Sequence, residues 1–166
     1  MSSRLAYLLL ALSVVVLDQV TKAIVVAKVP LHATIPVIRG FFDLTHLRNA
    51  GAAFGVFAAA GSTRPLLVTL LAAGVFAGVL VWSLTAPVQH RLLQTSLALI
   101  MGGAVGNLID RVRFQAVTDF LRFYVNRWEW PSFNAADSAI SVGVALLAWD
   151  IWRRPEPAPA PPEAKA

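Results

Sequence analysis

The sequence contains no cysteine, and this absence removes several kinds of chemistry at once. Without cysteine there can be no disulfide, no thiolate nucleophile and no metal site built on sulfur ligands. Charged residues are also scarce, because Asp, Glu, Lys and Arg make up only 14% of the chain, whereas 57% is hydrophobic. A soluble domain normally carries about 25% charged residues, so these 166 residues favour a single membrane-embedded domain.

The few histidines and the basic charge do not indicate a metal or a nucleic acid. Only three histidines are present, and none has another at the spacing that places two ligands on one face of a helix. The 14 Lys and Arg residues give a net charge of +5, but they are scattered among apolar runs and form no basic stripe. We therefore expect no metal, no cofactor and no nucleic-acid partner, and a membrane surface explains the basic residues better.

Four apolar runs are long enough to cross a membrane. The clearest, residues 66–84, has 19 residues without a charge, and about 20 residues span the hydrocarbon as a helix. The run nearest the N-terminus contains Asp18 and Lys22, and no A-x-A site follows it, so we interpret it as a retained helix and not as a cleaved signal peptide. These two residues pair on one helix face, and in the simplest interpretation the lysine reaches outward to the interface.

The sequence thus predicts an all-α membrane protein with one integral membrane domain over residues 1–154. The helices are predicted at about 5–26, 66–84, 92–109 and 134–152. Residues 28–64 contain several prolines and glycines and a partly alternating run from Phe41 to Leu47, which is typical of short strands at a membrane surface. Residues 155–166, almost entirely Pro, Ala and Glu, are expected to form a disordered cytoplasmic tail.

Four spans place both termini on the same side of the membrane. That side carries 5 Lys and Arg in 25 loop and terminal positions, against 8 in the 61 positions of the two long loops. The raw count opposes the positive-inside rule, but the density per residue mildly supports it. We therefore expect the termini in the cytoplasm and the long loops, including the aromatic and arginine-rich residues 110–133, on the opposite face.

Acidic residues gather where the predicted spans meet the second long loop. They are Asp110, Asp119 and Asp137, and the inner halves of the spans, taken as residues 5–16, 75–84, 92–101 and 142–149, contain no Asp, Glu, Lys, Arg or His. Because a carboxylate beside hydrocarbon is costly unless it is paired or functional, we interpret residues 106–137 as an active site. An ion-coupled transporter is the first alternative, and the acid-free inner halves argue against it. A structural lipid-binding protein is the second, and it leaves Asp119 and Asp137 unexplained.

Each of these acids also has a purely structural explanation. Asn134 is a good N-cap, and Asp137 suits the first turn of a helix. Asp119 alone would be a solvated loop acid, and Asp110 with Arg111 would be an interfacial ion pair. The separation of the Asp119 and Asp137 carboxylates distinguishes these explanations, because two acids within reach of one water favour a protease.

Five short blocks, in order from residue 18 to about 140, resemble the signature blocks of the lipoprotein signal peptidases, the signal peptidase II family. They are DQVTK from Asp18, NAGAAFG from Asn49, GNLIDR from Gly106, VTDF from Val117 and FNAADSA from Phe133. Each block is weak alone, but five in this order are specific. No departure from the pattern is found inside the blocks.

The resemblance implies a bacterial inner-membrane aspartic endopeptidase with four transmembrane helices, a small periplasmic β-sheet cradle and surface loops. Such an enzyme removes the signal peptide of a diacylglyceryl-modified prolipoprotein, cutting just before the lipidated cysteine at a site near the periplasmic face. By block position, Asp119 and Asp137 correspond to the catalytic dyad that activates a water. Substrate-binding or supporting positions correspond to Asn49, Asn107, Asp110, Arg111, Asn134, Asp18 and Lys22. The expected partners are the prolipoprotein and membrane phospholipid, and a monomer is expected.

Overall fold

The computed structural model describes residues 4–51 and 64–153. The helices are α1 (Arg4–Lys28), α2 (Arg64–Thr85), α3 (Arg91–Phe114) and α4 (Ala135–Trp152). The strands are β1 (Thr34–Ile38), β2 (Phe42–Asn49), β3 (Val117–Val125) and β4 (Trp128–Glu129). The predicted disordered tail, residues 155–166, and the second half of the block that starts at Asn49 lie outside the described residues.

All four helices are long and apolar enough to cross a membrane. The central one is α3, which packs against α1, α2 and α4, whereas no residue of α2 is buried in its most apolar stretch. The sequence predicted that this central helix ends at residue 109, but it continues to Phe114. The prediction stopped early because Asp110 was taken to face water, whereas its side chain is buried inside the protein.

Two glycines let the neighbouring helices approach α3 closely. A Cβ atom at Gly103 would lie 2.5 Å from the main-chain oxygen of Ala136 in α4. A Cβ atom at Gly106 would lie 2.5 Å from Oδ2 of Asp18 in α1. Close helix contact through small residues is typical of membrane proteins. The second glycine also gives the buried Asp18 carboxylate its room.

Gly106→Ala is therefore expected to destabilise the protein by about 1–3 kcal/mol, the usual cost of overpacking. The added methyl group has to displace Asp18, so the helix pair α1–α3 is affected directly. Gly78→Ala on α2 is the matched control, since a Cβ atom there has nothing within 4 Å. Thermal melting in detergent measures both variants, and equal melting temperatures would contradict the prediction.

The prediction of an all-α protein is wrong, because the structure contains a four-stranded antiparallel sheet in the order β1-β2-β3-β4. The alternation between Phe41 and Leu47 correctly indicated strand structure. The second long loop, however, contributes β3 and β4, where the sequence indicated only an interfacial loop. Residues in β3 are buried consecutively at first and do not alternate, so the period of two that identifies a half-exposed strand is missing.

The sheet carries residues from both long loops to one end of the helix bundle. In the β2–β3 ladder, Leu47 is opposite Asp119 and Asn49 is opposite Val117. A shift of register between Leu44 and Leu47 interrupts the ladder just before these pairs. This pairing places the end of β2 beside Asp119.

Candidate active site

The nine residues predicted for the site come from five different elements. Asp18 and Lys22 lie in α1, and Asn49 ends β2. The remainder are Asn107, Asp110 and Arg111 in α3, Asp119 in β3, Asn134 at the N-cap of α4 and Asp137 in its first turn. Hydrogen bonds and ion pairs join all nine into one connected set.

Asn134 holds the two predicted catalytic carboxylates next to each other. Its side-chain Nδ2 donates to Oδ1 of Asp119 at 2.8 Å, and its main-chain N–H donates to Oδ2 of Asp137 at 3.2 Å. The Asn134 Oδ1 in turn accepts from the main-chain N–H of Asp137 at 3.0 Å, which completes a capping box. The structural explanation of Asn134 as an N-cap is therefore correct, and the same residue also reaches Asp119.

Asp119 is not the solvated loop acid of the structural explanation. It lies within β3 and only 3% of its surface is exposed. Burial raises the pKa of Asp119 to about 6, a trend that the nearby Asp137 carboxylate reinforces. Hydrogen bonds from Asn49 and Asn134 act in the opposite direction. Asp119 is thus a carboxyl group that takes up a proton as the pH falls through about 6, well above the usual range of an aspartate.

The side-chain amides of Asn49 and Asn134 are held in one orientation. The Oδ1 atom of Asn49 accepts from the main-chain N–H of Gly51 at 2.9 Å, just as that of Asn134 accepts from Asp137. Because a main-chain N–H can only donate, each amide has to present its oxygen there and its NH₂ group to the other side. On that side both amides donate to Asp119, Asn49 at 3.0 Å to Oδ2.

Lys22 orients the third amide in the same way. Its Nζ donates to Oδ1 of Asn107 at 3.0 Å, and an ammonium group has no acceptor. The Asn107 Nδ2 therefore faces Asp137 and donates to its Oδ1 at 2.8 Å. Both carboxylates thus receive neutral donors, which stabilise negative charge without adding a full positive charge to the pair.

Lys22 does not reach outward to the membrane interface, as the simplest interpretation of the sequence suggested. It is 3% exposed and its Nζ lies 2.8 Å from Asp18 and 3.4 Å from Asp110. Asp18 also accepts from the main-chain N–H of Ala136 at 3.0 Å, and so ties α1 to the start of α4. The lysine points inward because two buried carboxylates and the Asn107 amide meet it there.

Asp110 likewise has a partner other than the predicted Arg111. Its Oδ2 accepts from the main-chain N–H of Thr118 at 2.8 Å, in addition to the ion pair with Lys22. Arg111 instead donates to the main-chain oxygen of Asn107 at 3.4 Å. The two neighbours therefore have different roles. Asp110 is buried and stabilises the start of β3 through Thr118, whereas Arg111 is a cation beside the carboxylates of Asp119 and Asp137.

A cavity of about 750 Å³ opens beside these groups. Asp119, Asp137, Asn49 and Arg111 line one part of it, and residues 130–133 line another. Its remaining wall comes from α2 and α4 and is mainly apolar. The cavity therefore offers two adjacent carboxyl groups to a molecule that also has an apolar part.

Gln19 contributes to the site but was not predicted. Its Nε2 lies 3.1 Å from Asp18 Oδ2, 3.1 Å from the main-chain oxygen of Gly106 and 3.3 Å from Asp110 Oδ1. A glutamine inside an apolar run, next to an acid, was the available signal. It was passed over because helix geometry alone does not tell which neighbouring helix it meets.

Comparison with known proteins identifies the family. Residues 10–153 match the family model described as signal peptidase (SPase) II. The chain belongs to the signal peptidase II family. The resemblance found in the five sequence blocks is thereby confirmed, and with it a protease of lipoprotein processing.

Named relatives and solved structures agree with this family. The lipoprotein signal peptidase of Geobacter sulfurreducens is 49% identical over 140 residues, which cover 83% of this chain and 86% of the relative. That of Nitratidesulfovibrio vulgaris is 47% identical over 149 residues, covering 89% and 90%. A structure described as a bacterial membrane enzyme, solved by the in meso method at 1.9 Å resolution, superposes with a TM-score of 0.80 at 29% identity, covering 90% of this chain and 94% of that one.

Family membership also bears on the alternatives drawn from the sequence. A transporter and a structural lipid-binding protein both lose their support, because the relatives that cover most of the chain carry the name of a peptidase. The multi-pass membrane architecture agrees with that name. Within residues 4–51 and 64–153, no three His, Asp or Glu side chains are grouped as ligands for a metal ion.

Proposed function

We propose that this chain is an aspartic endopeptidase that cleaves diacylglyceryl-modified prolipoproteins just before the lipidated cysteine, with Asp119 and Asp137 as its catalytic dyad. The observation that carries the proposal is the bridge made by Asn134, which donates to both carboxylates on the wall of one cavity. Two carboxyl groups this close do not ionise together easily, so one keeps a proton while the other acts as a base.

The reaction follows from that division of roles. Asp137, ionised, takes a proton from a water molecule while the water oxygen attacks the scissile carbonyl carbon. Asp119 holds the shared proton, in keeping with its raised pKa of about 6, and donates it toward the developing oxyanion. When the carbon–nitrogen bond breaks, the leaving amine takes up a proton from the dyad. The residual carboxylate charge remains stabilised by the amides that face it.

Asn49, Asn107 and Asn134 hold the two carboxyl groups of this dyad in one arrangement by donating hydrogen bonds to them. Because the oxygen of each amide is engaged by Gly51, Asp137 or Lys22, none can turn to present an acceptor to a carboxylate. An acceptor there would repel the ionised form, whereas the observed donors favour it. Arg111, on the cavity wall, supplies a cation for a substrate carbonyl.

We also propose where the enzyme lies in the cell and how it is oriented in the membrane. The enzyme resides in the bacterial inner membrane with both termini in the cytoplasm and with the sheet and the dyad at the periplasmic face. It acts as a monomer on prolipoprotein within phospholipid. The density of basic residues near the termini supports this orientation.

Cleavage of a diacylglyceryl-modified precursor by the purified protein tests the function. We expect the modified precursor to be cut before the modified cysteine, and the unmodified precursor to be cut at least about 100-fold more slowly, because acyl chains bury apolar area at the membrane interface. Mass spectrometry of both products locates the cut. Equal turnover of the two precursors, or a cut elsewhere, would contradict the proposal.

The pH dependence tests the assignment of the shared proton. With Asp119 as the protonated partner, kcat/KM should fall as the pH rises through about 6, because the free enzyme then loses that proton. His46→Gln is the matched control, since His46 Nδ1 hydrogen-bonds Val29 O at 2.8 Å and the histidine is no part of the cavity lining. The control should keep the same pH profile. A rate that increases steadily above pH 6 would assign the proton elsewhere.

A further inference from the structure

The active-site cavity continues below the dyad into the membrane-spanning part of the protein. Val68 and Leu71 of α2 line it on one side, and Ser138, Ser141 and Val142 of α4 line it on the other. Both helices pack against α3, so this lower part of the cavity lies between them. Ser141 is four residues after Asp137, which places it on the same helix face and about 6 Å deeper.

Serine and threonine hydroxyl groups in the four spans are mostly satisfied within the protein. Seven of nine donate to a carbonyl oxygen, namely those of Ser13, Thr21, Thr69, Ser83, Thr85, Ser96 and Ser138. Within the described part of the chain, the hydroxyls of Thr95 and Ser141 make no hydrogen bond. Only Ser141 of these two lines the cavity.

A substrate peptide that lies in this lower part of the cavity needs hydrogen-bond partners for its main chain. A carboxylate pair can reach the scissile carbonyl only where the peptide is not helical, so the carbonyls near the cut have no partner within the peptide. In an apolar cavity such groups are costly unless the protein pairs with them. Under the proposed function, the part of the substrate that lies deeper in the membrane is the signal peptide, which precedes the cleavage site.

We infer that the Ser141 hydroxyl donates a hydrogen bond to a main-chain carbonyl of the signal peptide, on the N-terminal side of the scissile bond. An extended chain advances about 3.3 Å per residue, so a depth of about 6 Å corresponds to the carbonyl two residues before the scissile one. Facing it, Val68 and Leu71 offer only apolar contact. Ser138 does not compete for this role, because its hydroxyl already donates to Asn134 O at 2.9 Å. This inference rests on the proposed function.

Three single variants of the full-length enzyme test it with a synthetic diacylglyceryl peptide substrate. Ser141→Ala should lower kcat/KM by about 5- to 10-fold, mainly through KM, which is the usual effect of a lost neutral hydrogen bond. Thr95→Ala removes the other unbonded serine or threonine hydroxyl of the spans, which is not in the cavity lining, so it should stay within about 2-fold of the parent. Ser141→Cys keeps the size but only a weak donor, and should resemble Ser141→Ala.

A second substrate tests which substrate carbonyl accepts the hydrogen bond from Ser141. Replacing the amide that contains the proposed carbonyl by an ester weakens that oxygen as an acceptor, so the ester substrate should be cut equally by the parent and by Ser141→Ala. The inference is overturned if Ser141→Ala stays within 2-fold of the parent, if Thr95→Ala loses as much, or if the ester leaves the difference unchanged. Failure of the proposed function is separate, because it would appear as cleavage by Asp119→Asn.

Discussion

Replacing either Asp119 or Asp137 by asparagine is expected to reduce prolipoprotein cleavage by about 1000-fold or more, because each change leaves one carboxyl group where two are required. The double variant should lose little more than either single variant. Groups that share one proton act as a unit, and their losses are strongly non-additive. The measurement is single-turnover cleavage of the diacylglyceryl-modified precursor by purified protein.

Folding has to be followed in the same variants. Asp119 accepts from Asn49 through one oxygen and from Asn134 through the other, whereas an asparagine offers only one oxygen. One amide donor therefore loses its acceptor in Asp119→Asn, at a cost of about 1–3 kcal/mol. Thermal melting and helical content report that cost independently of activity.

Asp43→Asn is the matched control for the dyad. Asp43 is also a buried carboxylate on the sheet, 3% exposed, but its partners are Arg122 at 3.7 Å and the Tyr124 hydroxyl at 3.2 Å. It is not among the residues that line the cavity beside Asp119 and Asp137. It should cleave at close to the parent rate. Near-parental cleavage by a folded Asp119→Asn or Asp137→Asn would exclude the two-aspartate mechanism.

The sequence predicted much of this arrangement because the relevant signals are local. A helix that spans the membrane is recognised from its own apolar length, and Asn134 with Asp137 marks the start of α4 through helix-capping chemistry. The five blocks then placed Asp119 with these residues by resemblance. In each case the information lies within a few neighbouring positions of the chain.

The parts that the sequence did not predict depend on contacts between distant segments. The pairing of Leu47 with Asp119 joins two loops that are separated by two membrane helices, and no local pattern specifies such a register. The orientation of Lys22 depends on how closely α1 approaches α3 at Gly106. A lysine near a predicted helix end is normally expected to reach water. The inward orientation of Lys22 could therefore be seen only in the structure.

Lys22→Met should be the most destabilising change among the charged residues, at about 3–5 kcal/mol. Lys22 is the common partner of Asp18 and Asp110, and both carboxylates are almost completely buried, at 0% and 2% exposure. Removing the ammonium leaves two buried negative charges side by side. It also frees Asn107 from the donor that orients its amide, so any folded fraction should cleave slowly.

Two further variants separate burial from charge. Glu129→Gln removes the negative charge from the two-bond pair with Arg122, where both donor–acceptor distances are 2.8 Å but the side chains are 32% and 49% exposed, and it leaves Arg122 beside the buried Asp43. Surface pairs of this kind contribute about 0–1 kcal/mol, so its melting temperature should change little. Adding Asp18→Asn to Lys22→Met removes one of the two orphaned charges and should restore part of the lost stability, because the destabilisation comes from unpaired buried charge and not from lost volume. Equal melting shifts for Lys22→Met and Glu129→Gln, or a double variant less stable than Lys22→Met alone, would show that Lys22, Asp18 and Asp110 do not hold α1 against α3.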